Sequence, residues 1–168
     1  SGGELGERSW VRFADDPGGG TTWVGGWALG GATTGDMALH LKPVDAQVLV
    51  ILGGTNDLSH GVPRTEVAAN LLAIAATAGT PRVLVSSVPP RDDNGAATAA
   101  YNDWLAEFAV SQGWEFIDAS AGLRDPQDPL SFAPEHTYDG LHPSLSGARV
   151  LGEAIGAALP GLDGAAGN

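Results

Sequence analysis

The sequence predicts a three-layer α/β/α domain with a parallel central sheet. Two observations carry that expectation. The apolar runs at 46–52 and 82–88 are continuous rather than alternating, so strands there are buried on both faces, as in a parallel sheet. Segments with apolar residues at helical spacing follow each of them, which is the order that right-handed strand–helix–strand crossovers produce. The 168 residues suit one domain. A chain of that size buries about 70% of its unfolded surface. We read a single domain over 1–168, with a frayed tail at 160–168 and no internal repeat or linker.

Taken in order, Ser1 to Gly6 reads as loop. Trp10, Val11 and Phe13 suit one or two helical turns, stopped by Asp15-Asp16-Pro17-Gly18-Gly19-Gly20. Residues 21–29 are rich in β-branched and aromatic side chains and are expected to form a strand. It leads into a turn of small residues, Gly30 to Asp36. The run Ala46-Gln47-Val48-Leu49-Val50-Ile51-Leu52 is the first fully buried strand, and it opens into Gly53-Gly54-Thr55-Asn56-Asp57. A helix is expected over 65–78, where Val67, Leu71 and Ile74 share a face and Gly79 suits the stop. A second strand follows at 82–88, ended by Pro89-Pro90. Then come a helix at 96–110 with Tyr101, Leu105 and Phe108 on one face, and a short strand at 114–118. Residues 122–137 are irregular and hold three prolines. The last helix is expected over 144–159, with Val150, Leu151 and Ile155 inward.

Composition excludes several functions. There is no cysteine, so there is no disulfide, no thiolate metal site and no cysteine nucleophile. The net charge is −12 with only 8 Lys and Arg, a surface that repels phosphate backbones and anionic lipid. Nucleic acid and membrane are therefore not expected partners. No run of about 18 apolar residues occurs, so no spanning segment is expected. Compartment and oligomeric state stay open.

Ligands in parallel sheets sit beyond the carboxyl ends of the strands, and three polar turns point to that edge. Tyr138-Asp139-Gly140-Leu141-His142-Pro143 places an acid and a histidine three positions apart before the last helix. Such a pair can form the acid–base half of a hydrolase, the carboxylate holding one ring nitrogen while the other takes a proton from a nucleophile. Asn56 can offer its amide to a developing oxyanion. On its residues alone, however, Gly-Thr-Asn-Asp reads first as a turn. The Gly53–Asp57 segment is not expected to cradle phosphate, since it lacks the P-loop lysine and no helix is expected to begin at once. Gly31 can lend a backbone N–H to the same oxyanion, or simply serve a turn.

His40 and His60 are expected at the surface. His136 lacks the Asp-x-x-His spacing, and no His-x-x-x-His pair suggests a metal. No cofactor is expected. Asp57 and Asp118, at strand ends, are backup acids for the site, and capping roles are assigned to them.

Together, Gly30-Gly31-Ala32-Thr33-Thr34, Gly53-Gly54-Thr55-Asn56-Asp57 and Asp139-Gly140-Leu141-His142-Pro143 resemble the second, third and fifth sequence blocks of the SGNH (GDSL-type) hydrolases, in order and separation. The resemblance spans nearly the whole chain. It implies a flavodoxin-like fold with five parallel strands and a metal-independent esterase, lipase or deacetylase activity. It implies an oxyanion role for Gly31 and Asn56, the base role for His142 and the orienting-acid role for Asp139.

The chain departs from the family at its start, because no Gly-Asp-Ser occurs. Ser1-Gly2-Gly3 resembles the continuation after that serine. The nucleophile is therefore expected just before Ser1, at the end of a central strand, with roughly 10–20 residues ahead of Ser1. Ser59, Ser86, Ser87, Ser144, Ser146 and Ser1 itself are poor substitutes; Ser144 and Ser146 suit the cap of the last helix. The resulting expectation is a serine esterase acting on small acyl esters or acetylated carbohydrate. Trp23, Trp27 and Phe132 would line the acyl or sugar side or belong to the core. The same fold without turnover would be a ligand-binding module. A flavodoxin-like nucleotide binder fits poorly, given the acidity and the lack of a phosphate loop.

Overall fold

The computed structural model describes residues 6, 8–15 and 20–159. Three parallel strands, β1 (Val48–Ile51), β2 (Arg82–Ser86) and β3 (Glu115–Ile117), lie side by side in that order. Val48 sits beside Arg82 and Ile51 beside Val85, while Leu84 sits beside Glu115 and Ser86 beside Ile117. Successive strand side chains face opposite ways, and both faces here are covered. Leu49, Ile51, Val83, Val85 and Phe116 join one core, and Val50, Leu52 and Ile117 join the other. The unbroken apolar runs in the sequence are the signature of this two-sided burial.

Helices α4 (Arg64–Ala78) and α5 (Gly95–Ser111) cover the first face. Val67, Leu71, Ile74 and Ala78 form the buried stripe of α4, and Gly79 ends it at φ 64° in the left-handed region. Tyr101, Leu105 and Ala109 do the same for α5. Asn102 of α5 brackets the backbone of Val88, accepting from its N–H at 2.8 Å and donating to its carbonyl at 3.0 Å. Helices α1 (Val11–Ala14) and α6 (Leu145–Ala158) cover the second face. Ser144 caps α6 by accepting from Gly147 N–H. The layers are thus helix, sheet and helix, the predicted three-layer α/β/α class.

The structure corrects the sequence reading in four places. Residues 21–29, expected as a strand, form none. Residues 21–28 line a cavity of about 700 Å³ whose walls also include β1 and Leu52. Among the described residues β1 has a partner on one edge only, and residues 21–28 face it across this cavity rather than pairing with it.

The sheet accordingly has three strands among the described residues, where the resemblance implies five. The turn at 30–36 ends early, because a helix, α2 (Thr34–His40), begins inside it. Thr33 and Asp36 form its capping box: each side chain bonds the other's backbone N–H. Finally, a helix does begin at once after Gly53-Gly54, namely α3 (Thr55–His60). The missing lysine alone now argues against a phosphate loop. Ser1, the residues before Gly6 and the tail at 160–168 lie outside the described residues.

Candidate active site

The turn from Thr137 to Pro143 is closed on itself. Thr137 pairs with Pro143 as an isolated antiparallel bridge. Its hydroxyl donates to the His142 carbonyl at 2.8 Å and accepts from Gly140 N–H at 2.9 Å. Inside this ring Asp139 accepts from Leu141 N–H at 3.0 Å and His142 N–H at 2.7 Å through Oδ1, leaving Oδ2 for the imidazole. That second bond, from Oδ2 to His142 Nδ1, is 2.8 Å long.

The His142 backbone N–H, then its side chain, then the Leu141 N–H stabilise the carboxylate and push the Asp139 pKa down to about 2. The acid is therefore ionised at any neutral pH. The other ring nitrogen, Nε2, bonds no described residue, and the side chain is 58% exposed. Tyr138 stacks on the ring, with centroids 5.7 Å apart and planes 9° from parallel. The Arg8 guanidinium lies over the Tyr138 ring, 4.7 Å from its centroid.

Asn56 is the second residue of α3. Its amide donates to the carbonyl of Ala32 at 2.8 Å, which seats the Gly31 turn against the helix start. An amide nitrogen carries two N–H groups, so a second donor remains. Gly31 has φ 80° and nothing within 4 Å of where a Cβ would stand, which leaves its backbone open to an incoming group.

The next residue, Asp57, is buried, and its two oxygens accept from Thr34 N–H at 2.9 Å and Thr34 Oγ1 at 2.6 Å. Its role is thus to lock α3 to the start of α2, a capping role as the sequence suggests. Gly54, at φ 121°, lets the chain pass Tyr101, whose hydroxyl a Cβ there would overlap. Burial pushes that phenol upward and keeps it neutral, donating to the Gly53 carbonyl at 3.0 Å.

One short segment joins the two halves. After Pro89-Pro90, Arg91 donates to the Thr55 carbonyl at 3.2 Å and to Ser59 Oγ on α3. Asp92 N–H donates to the Gly140 carbonyl at 2.9 Å in the acid–base turn. The structure thereby links the Asn56 helix, the Gly31 turn and the His142 turn around the carboxyl ends of β1 and β2. The sequence reading passed over Arg91 and Asp92. The available signal was a charged triplet, Arg91-Asp92-Asp93, directly after a buried parallel strand.

Residues 2–150 match the model of the GDSL-like lipase/acylhydrolase family. The chain belongs to that family. No curated protein matches the chain. Among solved structures it is similar to a Streptococcus pneumonia protein named for platelet activating factor, at 24% identity, TM-score 0.71, and 83% of this chain against 73% of that one. It is also similar to a Desulfitobacterium hafniense DCB-2 protein assigned to the G-D-S-L lipolytic family, at 16% identity, TM-score 0.75 and coverage of 91% and 89%. A GDSL-like lipase of Bacteroides thetaiotaomicron VPI-5482 aligns at 20% identity, TM-score 0.68 and coverage of 89% and 80%. These likenesses establish the shared α/β fold. The family assignment makes this chain a hydrolase of the acylhydrolase kind.

The other polar candidates in this GDSL-like domain are engaged elsewhere. His136 Nδ1 meets Ser146 Oγ at 3.2 Å, and Ser146 also donates to the Glu135 carbonyl. His40 and His60 are exposed, His40 stacking on Trp27. Ser59 is held by Arg91, Ser86 donates to the Ser87 carbonyl, and Ser87 donates to Asp118 at 2.8 Å. Burial works to raise the Asp118 carboxyl, but Arg124 and Ser87 outweigh it and hold it low, so this acid is structural. Ser144 caps α6. Phe132 is core, whereas Trp23 is 39% exposed beside the cavity. Among the described residues no group of His, Asp or Glu side chains is placed to hold a metal ion, and no helix is long and apolar enough to cross a membrane.

Proposed function

We propose that this acylhydrolase is a serine esterase in which His142 is the general base and Asp139 its orienting acid. The observation that carries the reading is the 2.8 Å bond from His142 Nδ1 to an Asp139 oxygen, with Nε2 bonded to no described residue and the side chain 58% exposed. A serine Oγ attacks the ester carbonyl carbon while its proton passes to Nε2. Asp139, ionised throughout, stabilises the imidazolium. The oxyanion takes an N–H from Asn56 and one from Gly31. Collapse expels the alcohol, which leaves with the proton from His142. Water then attacks the acyl-enzyme with His142 again as base, and His142 returns that proton to the serine oxygen as the acid departs. The substrates proposed are small acyl esters or acetylated carbohydrate, and the reaction uses no metal.

The serine is proposed to arrive on a segment ahead of Ser1, as a strand paired with the outer edge of β1. The cavity beside β1 supports this. It measures about 700 Å³ and runs the length of β1, with residues of both core layers such as Ile74 and Ala14 on its walls, so it has room for an added strand. An intact mass of the natural protein equal to these 168 residues alone refutes that placement.

One observation favours a second reading, a binding module that holds an ester or sugar without turnover: no serine among the described residues bonds His142. A fluorophosphonate probe separates the two. Labelling of one serine in the natural protein, lost with His142→Ala, supports the esterase. Well-folded protein that takes no label supports the binder.

A further inference from the structure

Arg91 is only 6% exposed, although it carries one of the chain's 8 basic side chains. A buried guanidinium is costly unless every face is partnered, so its partners indicate what it is there to hold. Asp93 takes Nε at 3.0 Å and Nη2 at 2.8 Å in a fork, which neutralises the charge. The remaining arm reaches the Thr55 carbonyl, one residue before Asn56, and Ser59 one helical turn further on.

The neighbouring Asp92 is anchored in the other direction. Its N–H donates to Gly140, and its Oδ1 accepts from Phe132 N–H at 2.9 Å. Gly140 packs so close that a Cβ would come within 2.5 Å of Asp92 Oδ2, and its φ of 76° suits glycine alone. The segment itself is rigid: Asn102 pins Val88 on one side, and Asn94 N–H bonds the Arg91 carbonyl at 3.1 Å on the other.

We propose that Arg91 and Asp92 are positioning residues, a two-residue bridge that fixes the Asn56 amide relative to the His142 imidazole. One residue grips the helix that carries Asn56, and the next grips the turn that carries His142. A movement of either half is passed to the other through a single peptide bond. Neither residue touches the reacting atoms. Acyl transfer depends on such spacing, because a misplacement of about 1 Å costs about 100-fold in rate.

The test uses the full chain and two readouts. Arg91→Met is labelled with 15N, and the Asn56 side-chain amide and the His142 ring are followed by NMR. Arg91 contacts neither group, so a bridge shifts both sets of signals, while those of α6 stay in place. A shift confined to Asn56 and α3 overturns the proposal, because Arg91 is then only a local anchor. Arg91→Lys, which keeps the charge but not the fork, is the variant to read if Arg91→Met does not fold; it is expected to shift both signals by a smaller amount, and unchanged His142 signals overturn the proposal in the same way.

The kinetic arm alone rests on the esterase reading. On an acetyl ester kcat is expected to fall about 10- to 100-fold with KM within about twofold. A fall that merely tracks the folded fraction counts against positioning. Absence of turnover in the unsubstituted protein sinks the esterase reading, while the NMR arm still decides the bridge.

Discussion

The depressed carboxyl of Asp139 makes the acid–base turn directly measurable. In the structure the pKa falls from the ordinary 3.8 to about 2. The backbone N–H of His142 is the largest cause and the His142 ring bond comes next; desolvation opposes them, and the Leu141 N–H and the His142 charge add lesser lowering effects. Replacing His142 by alanine removes the ring bond and its charge but leaves both backbone donors. The midpoint should therefore rise, yet stay below 3.8. The folded value lies under the unfolded one, so the carboxylate stabilises the turn fully above pH 3.8, and that contribution fades as the pH falls towards 2.

Carbon-detected NMR of the Asp139 carboxyl, titrated from neutral pH downwards, reads this in both proteins. In the unsubstituted chain the signal should begin to move only below about pH 3. A midpoint of 3.8 or higher there refutes the clamped turn. An identical midpoint in His142→Ala shows that the ring bond contributes nothing.

Three further outcomes follow from the geometry. Asn56→Ala should lower kcat on a simple ester by roughly 10²–10³, and urea titration should show about 1 kcal/mol less stability from the lost bond to Ala32. His142→Ala should abolish hydrolysis with the circular dichroism spectrum unchanged, while His136→Ala, whose ring faces Ser146, should keep it; the reverse result assigns the wrong base. Asp57→Ala leaves the Thr34 N–H and hydroxyl buried without their acceptor and should cost about 2–4 kcal/mol in equilibrium unfolding. A loss under about 1 kcal/mol would mean that α2 is held to α3 by packing instead.

The parallel core was readable because double-sided burial leaves unbroken runs such as Val48–Ile51 and Arg82–Ser86. Helices α4, α5 and α6 announced themselves by spacing and by end residues such as Gly79 and Ser144. The Asp139–His142 pair was legible because three-residue spacing lets one short loop supply both groups.

Residues 21–29 misled because β propensity states what a segment can do, while a strand must also lie within hydrogen-bond reach of a ladder, and here a cavity lies between the segment and β1. The helix at Thr34 was hidden by neighbours that read as a turn, although Thr33 and Asp36 carry the capping-box spacing. The helix at Thr55 was hidden by its Gly-Gly approach, which only makes sense once Tyr101 is seen against Gly54. The charged triplet Arg91-Asp92-Asp93 marked the segment but not its reach, since Thr55 and Ser59, which Arg91 also holds, lie more than 30 positions upstream.

The one-sided pairing of β1 among the described residues also bears on how these 168 residues behave at high concentration without the proposed upstream strand. Its strand lies in a seven-residue stretch, Ala46 to Leu52, without a charged side chain or proline. Uncharged, β-prone edges act as templates on which other chains assemble. The net charge of −12 keeps whole molecules apart over the Debye length, about 8 Å at physiological salt. Added salt shortens that reach and leaves the hydrogen-bonding edge intact. Self-association of the chain should therefore grow with ionic strength, and a lysine at Gln47, beside the edge, should suppress it.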